Sequence, residues 1–331
     1  MTHKDTSKEM LAILQKASGN YVSGEYLSQC LGITRAAIWK RMAVLKKEGF
    51  VIEASTRKGY RLCEQTRPYG RLSVQQGLVT RSFGRELKFL ETVDSTNNYL
   101  KQMAYEGAPE GTVVLADEQT AGRGRLGRSF LSSPGKGIWM SLLLRPELHP
   151  SQVHSLTLAA SVAVARVLEP LNIPGCGIKW PNDILIGGKK VCGILTEMSA
   201  EMDRVAWVII GIGLNVNHTA QDFPEDLKEL ATSLYLSRGI DEFLERSSLA
   251  ANMINQLEEI YLNYLEKGSS WVVEQWKKYN LTLGKRVRLI STAGEMVGCA
   301  EDLLPDGRLI LVDDSRQRHE VLSGEISLRE L

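Results

Sequence analysis

The sequence lacks three features: a long apolar run, a hydrophobic leader and any Cys-x-x-Cys pair. Its longest candidate apolar segment, Val205 to Val216, is about half of the roughly 20 residues that a membrane-spanning helix needs, and it contains two glycines. The first ten residues, MTHKDTSKEM, are polar, so we predict a cytoplasmic protein without a membrane partner. The five cysteines, at positions 30, 63, 176, 192 and 299, argue against a disulfide framework or a zinc site and predict buried thiols.

Charge is nearly balanced over the whole chain but unevenly distributed along it. The 331 residues include 40 Lys and Arg against 39 Asp and Glu. Residues 1–66 alone carry 11 basic and 6 acidic side chains, so the remainder is mildly acidic. A chain of this length is expected to form two or three domains. A basic head on an acidic body predicts nucleic acid as the partner of the head.

The head has the pattern of a winged helix. Ser23 and Thr34 stand where the N-caps of a second and a third short helix are expected, and apolar residues recur at i, i+4 and i+7 from Ile38. Two short apolar runs then flank a basic tip at 54–59, which is typical of a hairpin wing. A linker is predicted from Glu64 to Arg71. The side chains predicted to face DNA are Ser23, Thr34, Arg35, Ala36, Trp39, Lys40, Arg57 and Lys58.

The middle of the chain mixes strands and helices without a repeating βαβ order. The predicted strands are 87–93, 112–116, 137–144, 177–180, 184–186, 191–197 and 205–214. The predicted helices are 95–105, 151–168, 241–265 and 270–279. This order favours a mixed sheet of the α+β class.

From Gly284 onward the pattern changes to short strands separated by turns. The predicted strands are 286–290, 295–302, 308–312 and 320–322, with a hairpin turn at Asp306-Gly307. A small β-barrel fits this segment. The predicted fold class is therefore multidomain α+β, with a winged helix at 1–66, a catalytic domain at 67–280 and a β-barrel at 281–331.

The stretch from Gln119 to Arg128 gives the most informative functional signal. It contains three glycines and three arginines, and four basic residues between Gln119 and Gly137 are accompanied by no acidic one. Glycine lets the backbone approach a ligand closely, and arginine neutralises phosphate or carboxylate. We predict a site for a nucleotide-like anion in a loop that is mobile when empty and ordered when the anion is present.

Two alternatives for this stretch stay open. Gly122, Gly124 and Gly127 match the dinucleotide-binding pattern G-x-G-x-x-G, and Glu147 lies about 20 residues further on. That interpretation needs a helix directly after the glycines, and Ser-Ser-Pro-Gly-Lys-Gly at 132–137 breaks any such helix. The second alternative is a solvated basic loop without a ligand.

A second candidate group flanks a predicted Gly-Gly hairpin turn. Lys-Trp-Pro-Asn-Asp at 179–183 precedes the turn and Lys-Lys-Val-Cys-Gly at 189–193 follows it, so Asp183 and Lys190 can approach each other. Joining a carboxylate to an α-phosphate brings two anions together, and cations such as Lys190 and Arg125 would offset the repulsion. Asp183 could hold Mg²⁺ or a nucleophilic amine. Taken alone, the group is more typical of a surface ion-pair cluster.

Two further segments are weaker signals. In the stretch 211–217 two glycines allow close approach of a ligand, and an amide such as that of Asn215 can pair with an adenine edge. The alternative is a bulged strand that ends in a turn. Asp-Ser-Thr-Asn at 94–97 has the pattern of a helix cap whose hydroxyls could also meet a polar ligand head.

In this order, these segments resemble the bifunctional biotin–protein ligases that also repress biotin operons. The resemblance extends over nearly the whole chain. The matched motifs are Asp-Ser-Thr-Asn at 94–97, Gly-Arg-Gly-Arg-Leu-Gly-Arg at 122–128, Lys-Trp-Pro-Asn-Asp at 179–183, Lys-Val-Cys-Gly-Ile-Leu at 190–195, Gly-Ile-Gly-Leu-Asn at 211–215 and Gly-Glu-Ile-Ser-Leu-Arg at 324–329. It implies a catalytic domain related to class II synthetases and lipoate ligases, and an SH3-like C-terminal barrel.

The resemblance implies a two-step reaction and a regulatory role. Biotin and Mg²⁺-bound ATP would give biotinyl-5′-adenylate and pyrophosphate, and the biotinyl group would pass to a lysine of a biotin carboxyl carrier protein. Mg²⁺ would arrive with ATP rather than in a protein cage. The adenylate would order loops, a sheet edge would form a homodimer, and two winged helices would bind a palindromic operator and repress it.

The resemblance also implies roles for individual residues. Lys190, Arg125 and Asp183 would be catalytic, with Lys190 on the biotin carboxylate and the reacting phosphate, Arg125 on the phosphate, and the role of Asp183 open. The residues implied for biotin are Ser95, Thr96, Asn97, Gln119, Gly122, Arg123, Gly124, Arg125, Lys190 and Gly193. Those implied for ATP or the adenylate are Arg125, Arg128, Phe130, Lys179, Asn182, Asn215, Arg288 and Arg329.

One residue departs from the family, and two other functions stay open. Better-known members carry Trp where Phe130 stands; Phe can stack on adenine but lacks the indole N–H, so the affinity for the adenylate could differ. The first alternative function is a transcription factor that only senses a ligand, which has no need of the three residues Lys190, Arg125 and Asp183. The second is a lipoate-type acyl ligase, which the fused winged helix and the basic loop disfavour.

Overall fold

A computed structural model describes residues 6–63, 68–201, 203–291, 294–322 and the backbone of 327–330. The chain divides into two compact units. The first comprises Met1–Leu78 and Glu245–Ala251, and the second comprises Val79–Leu244 and Asn252–Leu331. The domain boundaries predicted at 66 and 280 stay a prediction. Throughout the described ranges, each helix is too short or too polar to cross a membrane.

The first unit has the predicted order of three helices and a hairpin. Its elements are α1 (Thr6–Lys16), α2 (Gly24–Leu31), α3 (Arg35–Lys47), β1 (Ile52–Ser55), β2 (Gly59–Leu62) and α4 (Arg71–Gln76). Strands β1 and β2 are antiparallel. Helix α4 was not predicted, and it begins at the last residue of the predicted linker.

Local sequence explains how this unit is built. The hydroxyls of Ser23 and Thr34 accept backbone N–H groups three residues further on, at 3.1 and 3.2 Å, and so begin α2 and α3 as predicted. The predicted stripe on α3 is buried with residues of α1. That stripe consists of Ile38, Met42 and Leu45. Burying one face of α3 leaves its other face to the solvent.

The second unit is built on a seven-stranded mixed sheet. Its strands are β3 (Leu87–Val93), β4 (Val113–Gln119), β5 (Gly137–Leu144), β6 (Cys176–Lys179), β7 (Asp183–Ile186), β8 (Lys189–Glu201) and β9 (Arg204–Asn215). Their spatial order is β3-β4-β5-β9-β8-β7-β6. Strands β3 and β4 are parallel and the other neighbours are antiparallel. The predicted mixed sheet is confirmed.

Helices α5 (Thr96–Tyr105) and α6 (Val153–Leu168) pack on this sheet. Helix α5 contacts β4, β5 and β9 and buries Leu100 and Ala104 against them. Helix α6 contacts β6 to β9 and is buried on almost every side, because nearly all of its residues are apolar or small. A short helix that was not predicted, α7 (Leu234–Arg238), follows β9.

The two helices predicted at 241–265 and 270–279 form α8 (Arg246–Lys277), which is interrupted at Gly268. Gly268 has φ 78° and ψ 179°, values outside the helical region. Helix α8 begins at Arg246 because the backbone of Leu244, just before it, is hydrogen-bonded to a side chain outside the helix. The Asn217 amide accepts the N–H of Leu244 and donates to its carbonyl, both at 2.9 Å.

A five-stranded antiparallel sheet follows α8. Its strands are β10 (Arg286–Ser291), β11 (Gly294–Leu303), β12 (Leu309–Asp313), β13 (Arg318–Val321) and β14 (Ser327–Glu330), in the order β13-β12-β11-β10-β14. Strand β14 was not predicted. Trp180 joins the segment 179–183 to this sheet. Its indole N–H donates to the Gly307 carbonyl at 3.3 Å, and its backbone N–H donates to the Thr282 hydroxyl at 2.9 Å.

The five cysteines, all of which lie in described residues, form no disulfide, and the prediction that they are buried is confirmed only for Cys192, since Cys63 and Cys176 are half-buried. Cys30 and Cys299 are exposed, whereas Cys192 is buried. Cys30 lies on the solvent side of α2, whose buried residue is Leu27. Cys299 points outward from β11 because burial alternates along that strand. Burial raises the pKa of the Cys176 thiol to about 11.

Candidate functional site

Segments distant in sequence converge on a cavity in the second unit, which we call the inner cavity. The start of α5, the end of β4, the basic loop that follows β4 and the middle of β8 and β9 form its walls. The predicted site residues that line it are Ser95, Thr96, Asn97, Gln119, Arg123, Gly124, Arg125, Phe130, Asn182, Lys190 and Gly193. Sheet pairing brings these residues together, since β8 and β9 are neighbours.

Two paired glycines form the floor of the inner cavity. Gly193 on β8 and Gly213 on β9 are register partners. A Cβ added to Gly193 would lie 3.0 Å from the Phe130 ring and 2.9 Å from Lys190 Nζ. One added to Gly213 would lie 2.7 Å from the same ring. Glycine is needed at both positions because the aromatic ring and the lysine approach the backbone so closely.

The basic loop folds as a tight hairpin. The Gly124 N–H donates to the Arg128 carbonyl at 2.7 Å, and the Phe130 N–H donates to the Gly122 carbonyl at 2.9 Å. A 3₁₀ turn, Arg125–Gly127, forms its tip. The chain then reaches strand β5, and in this fully described stretch no α-helix follows the glycines, so the dinucleotide interpretation is wrong. That the loop becomes ordered around an anion stays a prediction.

Arg125 and Lys190 are two of the three basic residues that line the inner cavity, the third being Arg123, and each is held by a polar partner. The Arg125 guanidinium donates to Asn182 Oδ1 at 2.9 Å, and the Asn182 amide donates to the Ile194 carbonyl at 2.8 Å. Lys190 Nζ lies 2.7 Å from Asp183 Oδ1. Burial lowers the pKa of Arg125, and the Asp183 carboxylate opposes that effect. A site with two fixed cations and one carboxylate can neutralise an anion that carries more than one charge.

A wider cleft shares Arg125, Asn182 and Lys190 with the inner cavity, and we call it the outer cleft. The residues predicted for ATP or the adenylate that line it are Arg125, Arg128, Phe130, Lys179 and Asn182, and Asp183, predicted to be catalytic, lines it as well. The inner cavity and the outer cleft therefore meet at the cations. This arrangement can place a small acid in one compartment and a nucleotide in the other.

The inner cavity has a polar wall made by Thr96 and Gln119. Gln119 Oε1 accepts the Thr96 backbone N–H at 2.9 Å and lies 3.0 Å from Thr96 Oγ1. The Gln119 amide donates to the Ser132 hydroxyl at 2.9 Å. Ser95 occupies the N-cap position of α5, but among its described contacts its hydroxyl makes no capping hydrogen bond. The hydroxyls of the segment 94–97 therefore do more than begin a helix.

Sequence reasoning missed two residues behind this wall, Ser141 and Glu197. The Ser141 hydroxyl lies 2.7 Å from Thr96 Oγ1 and 2.5 Å from Asn97 Oδ1. The Asn97 amide donates to Glu197 Oε2 at 2.7 Å. Ser141 could have been found as the single hydroxyl in the apolar strand GIWMSLLL. Glu197 carried no such signal, because its partner is distant in the sequence.

Four predicted residues do not line these two spaces in the part of the chain that is described. Gly122 is a buried residue of the basic loop itself. Asn215 is buried, and its amide donates to a backbone carbonyl after β9 at 3.0 Å. The guanidinium of Arg288 on β10 lies 3.6 Å from a glutamate carboxylate. The side chain of Arg329 lies outside the described residues, although its backbone pairs with that of Arg288.

The predicted DNA-facing residues of the first unit are all exposed. Trp39 on α3 is 66% exposed, which is unusual for so large an apolar side chain. Lys58 Nζ and the Arg61 guanidinium lie 5.7 and 4.9 Å from the centroid of the Tyr21 ring, so the hairpin presents its basic groups beside an aromatic ring. An exposed basic and aromatic surface of this kind is typical of a nucleic-acid interface.

Three family models match the chain in an order that agrees with these units. The model described as the biotin/lipoate A/B protein ligase family matches residues 89–215. An HTH domain model matches residues 6–61, and a biotin protein ligase C terminal domain model matches residues 282–329. The first of these matches spans most of the residues that line the inner cavity.

Individual proteins and solved structures agree with the family models. The bifunctional ligase/repressor BirA of Bacillus spizizenii is 40% identical over 97% of this chain and 98% of its own. BirA of Escherichia coli is 31% identical over 98% of each chain. The structure of the Aquifex aeolicus biotin protein ligase in complex with biotin and ATP is similar with a TM-score of 0.64 and 32% identity, over 75% of this chain and all of that one. The chain therefore belongs to the bifunctional ligase/repressor family, in which an HTH domain precedes a biotin protein ligase.

Proposed function

We propose that the protein joins biotin to ATP, transfers the biotinyl group to a lysine of a biotin carboxyl carrier domain, and represses biotin genes while the adenylate is bound. In the first step a biotin carboxylate oxygen attacks the α-phosphorus of ATP, and the bond to the bridging β-phosphate oxygen breaks, so pyrophosphate leaves. In the second step the lysine amine attacks the acyl carbon, the bond to AMP breaks and AMP leaves. The amine proton passes to water.

The observation that carries the proposal is that Arg125 and Lys190 share one cavity. They come from a loop and from a strand, and both line the inner cavity and the outer cleft. A carboxylate that approaches a phosphate meets electrostatic repulsion, and two fixed cations at the meeting point lower that barrier. The proposed geometry therefore puts biotin in the inner cavity and ATP in the outer cleft.

The proposed biotin contacts come from the polar wall and the basic loop. The residues that would hold the ureido head are Ser95, Thr96, Gln119 and Arg123, and Asn97, Gly122, Gly124 and Gly193 would lie around the bicyclic ring. Lys190 would hold the carboxylate, since its ammonium already pairs with the carboxylate of Asp183 at 2.7 Å. An incoming carboxylate would replace that partner and free Asp183 to face the amine in the second step.

The proposed nucleotide contacts line the outer cleft. Arg125 and Arg128 would bind the phosphates, Phe130 would stack on the adenine, and Lys179, Asn182 and Asn215 would lie on the nucleotide side. The roles of Arg288 and Arg329 toward ATP stay predictions. Mg²⁺ commonly uses one or two carboxylates together with substrate phosphates, and Asp183 supplies a carboxylate in this cleft, so the donors present fit a metal that arrives with ATP.

The proposed repressor function uses the first unit. Trp39, Lys40 and the exposed start of α3 would enter the major groove, and Arg57 and Lys58 would contact phosphates. We propose that the adenylate promotes a homodimer, so that two such units read a palindromic site. We further propose that the reaction takes place in the cytoplasm, where carboxylase carriers are biotinylated.

The test is the reaction itself. The full-length protein is incubated with Mg²⁺, ATP and biotin in the presence of an unmodified carrier domain, and the intact mass of the carrier is measured. The expected result is one biotinyl group on one lysine. A parallel reaction with lipoate separates the two acids named in the family description. A carrier that gains no biotinyl group while its lysine is accessible would refute the ligase function.

A further inference from the structure

The backbone of Lys190 lies at an irregularity in strand β8. Cys192 pairs with Ile184 of β7. Lys190 pairs with Leu185, the very next residue of β7, so Val191 has no register partner in that fully described strand. This arrangement is a β-bulge, which bends a strand and turns a side chain in a new direction. The direction of the Lys190 side chain therefore depends on how the bulge is held.

The bulge brings the Lys190 ammonium into the inner cavity. Side chains three residues apart on a regular strand point to opposite faces of the sheet. Lys190 and Gly193 nevertheless both line the inner cavity, and a Cβ added to Gly193 would lie 2.9 Å from Lys190 Nζ. The extra residue, Val191, breaks the alternation between them. A regular β8 would turn the ammonium away from the cavity.

Strand β9 does not support Lys190 on the edge away from β7. The last register pair between β8 and β9 at this end joins Cys192 to Leu214. The same register would place Val216 beside Lys190, but the Val216 N–H donates to the Lys136 carbonyl at 3.2 Å. The chain has therefore left the sheet at this point, and the backbone groups of Lys190 need another partner.

Residues 230–232 provide that partner, and we call them the clamp. The Lys190 N–H donates to the Leu230 carbonyl at 2.8 Å, and the Thr232 N–H donates to the Lys190 carbonyl at 2.9 Å. These two hydrogen bonds form an isolated parallel bridge between Lys190 and Ala231. The backbone of Lys190 is thereby held on both edges, by β7 on one and by the clamp on the other.

Buried groups anchor the end of the clamp. The Thr232 carbonyl accepts the Asn215 amide at 3.0 Å. The next residue, Ser233, is fully buried, and its hydroxyl donates to the His218 carbonyl at 2.6 Å. The same hydroxyl accepts the Leu236 N–H at 3.1 Å and so begins α7. Within the described chain, Thr232 and Ser233 line neither the inner cavity nor the outer cleft, so they can act on the lysine without touching a ligand.

We propose that the clamp positions the Lys190 ammonium, which makes Thr232 and Ser233 positioning residues for the biotin carboxylate. This inference rests on the proposed function, in which Lys190 holds that carboxylate. While the clamp is in place, the bulge keeps the ammonium where the inner cavity meets the outer cleft. Without the clamp the bulge relaxes and the ammonium loses its fixed position, whereas the polar wall around the bicyclic ring is unchanged.

The test compares biotin with biotin amide, in which an uncharged carboxamide replaces the carboxylate. Thr232→Pro removes the N–H that reaches the Lys190 carbonyl. We expect the Kd for biotin, measured by calorimetry without ATP, to rise about tenfold, because a charge-assisted contact is lost. The Kd for biotin amide should stay within about twofold. General damage to the inner cavity would instead weaken both ligands equally.

Ser233→Ala is a second variant, which decides the outcome if the proline prevents folding in thermal unfolding. It removes the anchoring hydroxyl but no backbone donor, so the Kd for biotin should rise about threefold and the Kd for biotin amide should not change. The matched control is Ser161→Ala on α6, which removes a fully buried hydroxyl that donates to the Leu158 carbonyl at 2.7 Å. The control should leave both Kd values unchanged.

A further measurement asks whether the clamp acts through Lys190. Ser233→Ala should lower adenylate formation about threefold in the unmodified protein and no further in Lys190→Ala, where no ammonium is left to position. Unchanged biotin affinity in the folded clamp variants, an equal loss for biotin and biotin amide, or the same loss of adenylate formation in both backgrounds would each overturn the inference. If the unmodified protein forms no adenylate, or binds biotin no better than its amide, the proposed function fails and the inference fails with it.

Discussion

The two units present their functional side chains in contrasting ways. In the first unit the predicted DNA-facing residues are exposed, with Trp39 at 66%. In the second unit the wall residues Thr96 and Asn97 are 3% and 5% exposed and are bound to one another through Ser141. Substitutions on the exposed surface of the first unit should change DNA binding with little effect on the stability of the fold. Substitutions in the buried site of the second unit should also disturb the side chains hydrogen-bonded to the substituted residue.

The largest expected effect is in the second unit, from Lys190→Ala. Removing this ammonium leaves the carboxylate and the phosphate without one of two fixed cations, so adenylate formation from radiolabelled ATP should fall about 10²- to 10³-fold. The matched control is Lys189→Ala, because Lys189 pairs with Glu229 at 3.1 Å and lines neither the inner cavity nor the outer cleft. Near-normal adenylate yield from Lys190→Ala would remove Lys190 from the mechanism.

The next effect concerns stability rather than chemistry, through Glu258 on α8. Its carboxylate accepts the backbone N–H groups of Arg81, Ser82 and Phe83 at 2.6, 2.7 and 2.8 Å. Burial alone would raise the pKa of Glu258, but these three donors and the Ser82 hydroxyl, at 2.9 Å, together outweigh burial and hold its pKa below the usual value. Glu258→Gln should lower the free energy of unfolding of the second unit by about 2 kcal/mol, since hydrogen bonds to an ionised group are the strong ones.

The lowered pKa of Glu258 determines how the stability lost in Glu258→Gln depends on pH. A carboxyl group with a lowered pKa in the folded state stabilises fully above its usual pKa of 4.5, and this stabilisation is lost as the pH falls below that value. The difference in urea midpoint between the unmodified protein and Glu258→Gln should therefore shrink from pH 7 to pH 4. A difference that grows on acidification would contradict the assignment.

The smallest of these effects lies in the first unit. Arg57→Ala combined with Lys58→Ala removes two exposed cations from the hairpin tip. Affinity for a random-sequence duplex should fall about tenfold, and the slope of log K against log salt should decrease by about 2 in magnitude. Ligation should not change. The control is Lys267→Ala with Lys278→Ala, which removes the same charge from the second unit, and an equal loss of DNA affinity there would show that only net charge matters.

Much of the fold was predictable because local patterns decide it. The strands Leu87–Val93 and Gly137–Leu144 have the bounds predicted from their apolar runs. Helices α4 and α7, with 6 and 5 residues, were missed because so short a helix carries no periodic signal. The start of α8 was misplaced because a distant amide, that of Asn217, decides it.

Site residues that belong to a contiguous motif could be predicted from the sequence. Site residues whose partners are distant in the sequence and meet only in the folded sheet could not. Arg125 and Lys190 stood out through the basic loop and the hairpin, and the structure brings both to one cavity. The pairing of Asn97 with Glu197 spans 100 residues and depends on α5 packing on β4, β5 and β9, with β8 next to β9 in the sheet. No pattern in the sequence encodes that contact, so it becomes visible only in the fold.

The most direct measurement of the central claim is a double-mutant cycle between Arg125 and Lys190, with kcat/KM for adenylate formation as the readout. If both cations act on the same acyl–phosphate anion, Arg125→Ala combined with Lys190→Ala should be little worse than the more damaging single variant. Thermal unfolding of all three variants provides the control for folding. Fully additive losses, with folding intact, would mean that the two cations act on separate groups and would contradict the proposed site.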